Sequence, residues 1–230
     1  MDFHTTANRI GRYAVNPKET ITPGETETME NAFFEGTLLS LMIGLGLSAA
    51  CGFRVFVPLL VMNLAVRAEA LTLAPGFEWI GSTPALVAFG AATLLEVGGY
   101  YLPVIDNLLD AAATPSAVVA GVLTTASQIH DMHPFLAWGV AIIAGGGAAG
   151  VVQGLTTITR QLSTLATGGL GNPFFSTFEA GASISMTLLA IFVPFLAAFG
   201  FLVITFLLFK KLAQRRGGSN VGAEDLAPAA

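Results

Sequence analysis

The sequence predicts an all-α, polytopic membrane helix bundle, and three observations carry that reading. Of 230 residues, 53% are hydrophobic and only 11% are charged, where soluble domains carry roughly a quarter of charged residues. Mean hydropathy is +0.71. The ten Lys and Arg are unevenly placed: Arg9, Arg12 and Lys18 precede the apolar body, Lys210, Lys211, Arg215 and Arg216 follow it, and only Arg54, Arg67 and Arg160 lie between. About six to eight membrane segments are expected, some short or broken. They occupy 36–211, between a polar, mobile lead at 1–35 and a tail at 212–230. The basic cluster after the last apolar run places that tail in the cytoplasm under the positive-inside rule.

The lead carries Asn16-Pro17 and Thr22-Pro23-Gly24, turn signals that break a long helix, and has no apolar core of the signal-peptide kind. From Gly36 to Gly52 the chain is apolar, with Gly44, Ser48 and Gly52 at the four-residue spacing that lets membrane helices approach closely. Gly52, Arg54 and Pro58 then predict a break, with a second apolar run to Ala65. Arg67, Glu69, Pro75-Gly76 and Glu78 mark a loop whose Trp79 suits the membrane interface. Four capped prolines, at Ser82-Thr83-Pro84, Thr114-Pro115, His133-Pro134 and Asn172-Pro173, each precede an apolar run and predict helix starts. Past Pro134, Gly146, Gly150 and Gly154 repeat the four-residue spacing. The final run to Phe209 is too long for one simple crossing, so Pro194 is expected to bend or divide it.

The stretch Leu94–Asp110 draws the eye because Glu96, Asp106 and Asp110 interrupt an otherwise apolar surface. A charge at the bilayer centre costs roughly 2.5 to 3.5 kcal/mol on insertion scales, so such acids face a bundle interior or a polar cavity. On one continuous helix Glu96 and Asp110 would share a face, although Pro103 predicts a kink or stop between them. Glu96 reads in two ways: as a proton or cation site, or as a structural partner of Arg54. Asp106 and Asp110 fit an interfacial position beyond Pro103, and Glu179 and Arg54 complete the candidate substrate or ion set. Gly168, Gly169 and Gly171 precede a helix, where backbone amides suit an anion and equally suit a tight turn. His130, Asp131 and His133 have poor spacing for helical metal ligands, so no metal and no cofactor are expected.

Several classes fall away. No basic patch or stripe supports nucleic-acid binding. Cys51 is the sole cysteine and forms no internal disulfide. There is no zinc-protease motif, nucleophile elbow or P-loop. The halves share an order of features, a small-residue helix, then Arg54 or Arg160, then a capped proline before Glu96 or Glu179, which points to a two-fold internal repeat of the kind found in transporters.

Ser48-Ala-Ala-Cys-Gly-Phe-Arg54 with Pro58, then Glu96, Pro103-x-x-Asp106 and Ala144-Gly-Gly-Gly-Ala-Ala-Gly150, together resemble the Domain of Unknown Function 4126 family of bacterial integral membrane proteins, over Thr37 to Leu196. The resemblance implies a compact multi-helix domain of the inner membrane and no known substrate or catalytic residue. The function expected is a small-solute or ion transporter or channel with a buried carboxylate site. Alternatives are a non-catalytic accessory subunit, whose small-residue stripes meet a homo-oligomer or another membrane protein, and an intramembrane lipid-modifying enzyme. The partner common to all three is the lipid bilayer.

Overall fold

The computed structural model describes residues 23–99, 103–130, 132–168 and 171–218, leaving aside the side chains of 23–33, 103–111, 172, 173, 212, 213 and 215–218. Every regular element among them is helical: α1 (Pro23–Cys51), α2 (Phe56–Arg67), a 3₁₀ turn (Glu78–Gly81), α3 (Thr83–Gly98), α4 (Pro103–Ala126), α5 (Pro134–Val140), α6 (Gly147–Thr167), α7 (Asn172–Phe192) and α8 (Pro194–Gly218). A π-helical stretch, Ala141–Gly146, joins α5 to α6. The chain divides into a leading unit, Met1–Gly36, and a body, Thr37–Ala230, that holds the core.

Among the described residues four helical stretches are long and apolar enough to cross a membrane: Phe34–Cys51, Pro134–Thr167, Phe174–Phe192 and Pro194–Lys211. Shorter apolar stretches are Phe56–Arg67, Thr83–Gly98 and the Ala112–Ala126 part of α4. At 1.5 Å per residue the 16 residues of α3 reach about 24 Å, short of a full hydrocarbon core of about 30 Å. This is an all-α membrane bundle. Its outside is apolar, with Leu94, Phe199 and Phe206 exposed, and lipid is the solvent such a surface requires.

The end of α1 is the packing centre, and its small residues explain why. A Cβ at Gly44 would stand 3.1 Å from the Thr125 backbone, and one at Gly52 would stand 2.6 Å from the Ala149 carbonyl oxygen. Backbones this close leave carbonyls within reach of hydroxyls. Ser48 donates to the Gly145 carbonyl at 2.6 Å, Thr125 to Gly44 at 3.1 Å, and Ser183 to Ala50 at 3.0 Å. In a medium without water each bond satisfies a group that would otherwise be costly. Gly145 lies in the π stretch, where the i→i+5 pattern perturbs the ordinary ladder, and a Cβ there would meet the Gly121 carbonyl oxygen at 2.5 Å.

Several boundaries differ from the sequence expectation. Helix α1 begins at Pro23, not Gly36, because a proline fits a first helical turn as readily as it ends one. Pro115 lies inside α4 and starts nothing. The Ser82 cap is present, its Oγ accepting from Ala85 N at 3.2 Å, and His133 caps α5 through Nδ1. The expected division at Pro194 is present, with α7 ending at Phe192 and α8 starting at Pro194. Of the second glycine stripe, a Cβ at Gly146 would press on Val122 at 3.1 Å, one at Gly150 would make only ordinary contact with Val118, and one at Gly154 would meet open space. The stripe thus faces α4 at Gly146 and Gly150 and has left it by Gly154, while the closer approach to α4 is made by Gly145 in the π stretch. The repeat's parallel does not extend to local structure: Arg54 lies in the break after α1, Arg160 within α6.

Candidate functional site

The non-helical break between α1 and α2 carries Arg54, which is 1% exposed. Helix α2 starts without a local cap, since Val55 has no side-chain acceptor. The last turn of α3 supplies the missing group. Glu96 reaches across so that Oε1 accepts from Val55 N at 2.6 Å and Oε2 from Phe56 N at 3.0 Å. The exchange is reciprocal: Arg54 Nη1 donates to the Glu96 backbone carbonyl at 3.2 Å. A carboxylate thus sits on the positive end of α2 and a guanidinium on the negative end of α3, each orientation favoured by the helix dipole and each using an orphan terminal group.

The other side of Arg54 meets α7. Its Nη2 donates to Ser176 Oγ at 2.6 Å and to the Ser176 carbonyl at 3.0 Å, and lies 3.2 Å from Glu179 Oε2. Arg160 of α6 closes on the same carboxylate with a two-pronged grip, Nε to Oε1 at 3.3 Å and Nη2 to Oε2 at 2.5 Å. Such a fork matches the planar guanidinium to the carboxylate. Arg54, Glu96, Arg160, Ser176 and Glu179 are all buried. Among the described side chains the cluster holds two carboxylates, Glu96 and Glu179, and two guanidiniums, Arg54 and Arg160.

Of these residues Glu96 borders open space. A cleft of about 310 Å³ lies between α3 and α4, bounded by Phe56, Ala92, Leu95, Ala112 and Ser116 together with Glu96. Apart from Ser116 and Glu96 these walls are apolar.

A model of the domain of unknown function DUF4126 matches residues 41–214. The chain belongs to the DUF4126 family. No curated protein and no solved structure matches it. The DUF4126 match covers the whole charged cluster, so the cluster is part of the family domain rather than an addition to it.

The candidate residues read from the sequence fall into three groups in this DUF4126 domain. Arg54, Glu96 and Glu179 come together, but Arg54 pairs with the Glu179 carboxylate, while the Glu96 carboxylate is held by amides. Asp106 and Asp110 belong to the first turns of α4, a helix separate from α3, so the single-helix argument for a shared face does not apply; their side chains lie outside the described residues. Gly168 ends α6 with a left-handed φ of 63°, the ordinary use of glycine at a helix end. Gly171 N donates to Thr167 Oγ1 at 3.1 Å, which commits that amide to the turn rather than to an anion, and Gly169 lies outside the described residues. Among the described residues no group of His, Cys, Asp and Glu is arranged for a metal.

Arg160 and Ser176 were not singled out as site residues from the sequence. For Arg160 a signal existed: it and Glu179 stand equally far from the turn at 168–171 on either side, and an antiparallel pair joined there faces them together. For Ser176 none did.

Proposed function

We propose that this membrane protein is a small-solute or ion transporter of the bacterial inner membrane, with a cytoplasmic C-terminus, in which the Glu96 carboxylate is the solute- or ion-binding site. One observation carries the reading: Glu96 is a buried acid whose carboxylate, held by backbone amides, also lines a cleft. A group used only to lock helices together has no need of open space beside it. Broken α1–α2 geometry at the same point adds support, since irregular backbone at membrane depth is tolerated where it is buried in protein or lines a cavity. Arg54 and Glu179 serve as positioning residues that fix the break, with Arg160 holding Glu179.

The test is flux into liposomes carrying the reconstituted protein, read with an internal pH dye while inorganic cations, amines and alcohols are offered in turn. Glu96→Gln should remain folded and lose the flux. A folded Glu96→Gln protein with unchanged flux for every solute would end the transport reading. A second reading, an accessory subunit of a membrane complex, is favoured by α8, whose apolar span is 11% buried and leaves a broad face for a partner helix.

A further inference from the structure

Helix α8 packs on α7 and encloses, with the end of α1 and with α6, a cavity of about 250 Å³ walled by Ala49, Phe53, Val152, Met186, Ala197 and Gly200. Apart from Thr156 and Thr205 its lining is apolar. Two further lining residues, Leu196 and Ile204, are 56% and 61% exposed, so the cavity opens at the outer surface of the bundle. An apolar cavity stays dry, and hydrocarbon is the other medium that this surface meets. Along α8 the cavity runs from Leu196 to Thr205, roughly 14 Å at 1.5 Å per residue. Spread over that length, its volume gives a mean cross-section of roughly 18 Å². A helix, about 10 Å across with its side chains, is too thick to enter, whereas a single hydrocarbon chain is not.

The charge beyond the Thr205 end selects the head that this chain carries. Ala197, Ile204 and Lys211 stand seven residues apart, and a helix drifts only about 20° per seven residues, so Lys211 lies on the cavity's face of α8. Lys210, one residue earlier, is turned from it by about 100°. Both lysines are exposed, among the described residues neither is in an ion pair, and α8 holds no Asp or Glu. A phosphate answers the Lys211 ammonium, while the cationic end of a zwitterionic head would meet it with like charge. Lys211 is also six residues past Thr205, about 9 Å along the axis, and its flexible stem carries the ammonium further toward water. A glycerol linker spans that gap; a fatty acid, whose carboxylate follows its chain directly, would have to draw the chain out of the cavity to reach the lysine. We infer that the cavity holds one acyl chain of an anionic phospholipid whose phosphate is bound by Lys211. The site lies apart from Glu96 and is independent of the transport reading.

The experiment titrates the full chain, purified in an uncharged detergent, with phosphatidylglycerol and counts the lipids retained per molecule by native mass spectrometry. Binding should saturate at one phosphatidylglycerol per chain. Phosphatidylcholine with the same acyl chains should bind at least fivefold more weakly, and neither inorganic phosphate nor oleate should displace the lipid at equal concentration. Lys211→Gln should weaken binding about fivefold, the ordinary contribution of one basic side chain beside an anionic head, while Lys210→Gln should leave it within about twofold because that residue is turned from the cavity. Gly200→Leu puts a side chain into the cavity at a position where a Cβ meets nothing within 4 Å, so it should fold and abolish the saturable binding; should it not fold, the two lysine variants and the lipid series decide alone. Phosphatidylcholine binding as tightly, equal losses for the two lysines, unaltered binding to folded Gly200→Leu, or displacement by oleate or inorganic phosphate would overturn the inference.

Discussion

Glu96 and Glu179 are both buried glutamates of the same cluster, yet they are held in opposite ways. Glu179 is bound by two guanidiniums, one gripping both oxygens. Glu96 is bound by two backbone amides at the open end of a helix. Counter-ions answer a charge with charge and fix it permanently, whereas amides stabilise an anion through dipoles that remain tolerable when the charge is discharged. The amide-held acid borders a cleft. On the proposed reading the pair divides its labour, with one carboxylate locking α6 and α7 to the break and the other left available.

The largest effect should come from the locked acid. Glu179→Ala removes a carboxylate that two buried arginines share, and breaking a buried ion pair from one side costs about 3 to 5 kcal/mol. Unfolding midpoints in detergent should fall sharply or the protein should fail to accumulate. Glu96→Gln keeps one acceptor oxygen for the amides and replaces the other with an NH2 that cannot accept, so one hydrogen bond to a charged group, roughly 1.5 to 3 kcal/mol, is lost. Equal losses for the two substitutions would erase the distinction.

A double-mutant cycle sharpens the same point. Residues in one buried network couple by about 0.5 to 3 kcal/mol. The Arg160/Glu179 pair should lie at the top of that range and the Arg54/Glu96 pair at the bottom, since the latter joins a guanidinium to a backbone carbonyl that survives any change at the Glu96 side chain. Strong Arg54/Glu96 coupling would restore the direct ion pair expected from the sequence.

How much of this was legible before the structure follows from where each signal resides. The break at Gly52–Pro58, the caps at Ser82 and His133 and the division at Pro194 were readable because proline and glycine act through their own backbone geometry. The α1 stripe was readable because Gly44 and Gly52 need only a regular helix to align them. The second stripe was legible in part: Gly146 and Gly150 meet α4 while Gly154 does not, and nothing in an Ala-Gly-Gly-Gly run announces the π stretch at 141–146 that brings Gly145 closer still. Glu96 and Arg54 were found as isolated charges in apolar sequence, but their partners were not. The Val55 and Phe56 amides have no side-chain signature, and the two-arginine grip on Glu179 depends on α6, α7 and the break meeting in space. Side-chain charge can be counted along a chain; a helix terminus recruited as a partner cannot.

A third glutamate isolates the contribution of burial. Both oxygens of Glu78, in the exposed loop before α3, accept from the Gly76 amide, at 3.1 and 2.9 Å, so Glu78 and Glu96 share a class of donor and differ in solvent. The bond from its own backbone N–H, followed by that from Gly76, holds the Glu78 carboxyl below its usual range. A glutamate with a lowered folded value contributes stability that is present above the ordinary glutamate range and is lost as pH falls through the lowered value. In amide exchange, Gly76 should be protected at neutral pH and lose that protection on acidification through this range. Water competes for every one of these bonds, so Glu78→Gln should leave the unfolding midpoint at neutral pH almost unmoved, the smallest response of the three glutamates. A drop as large as that of Glu96→Gln would mean that amide capping, and not the dry site around it, sets what Glu96 contributes, and the contrast with Glu179 would then need no cleft to explain it.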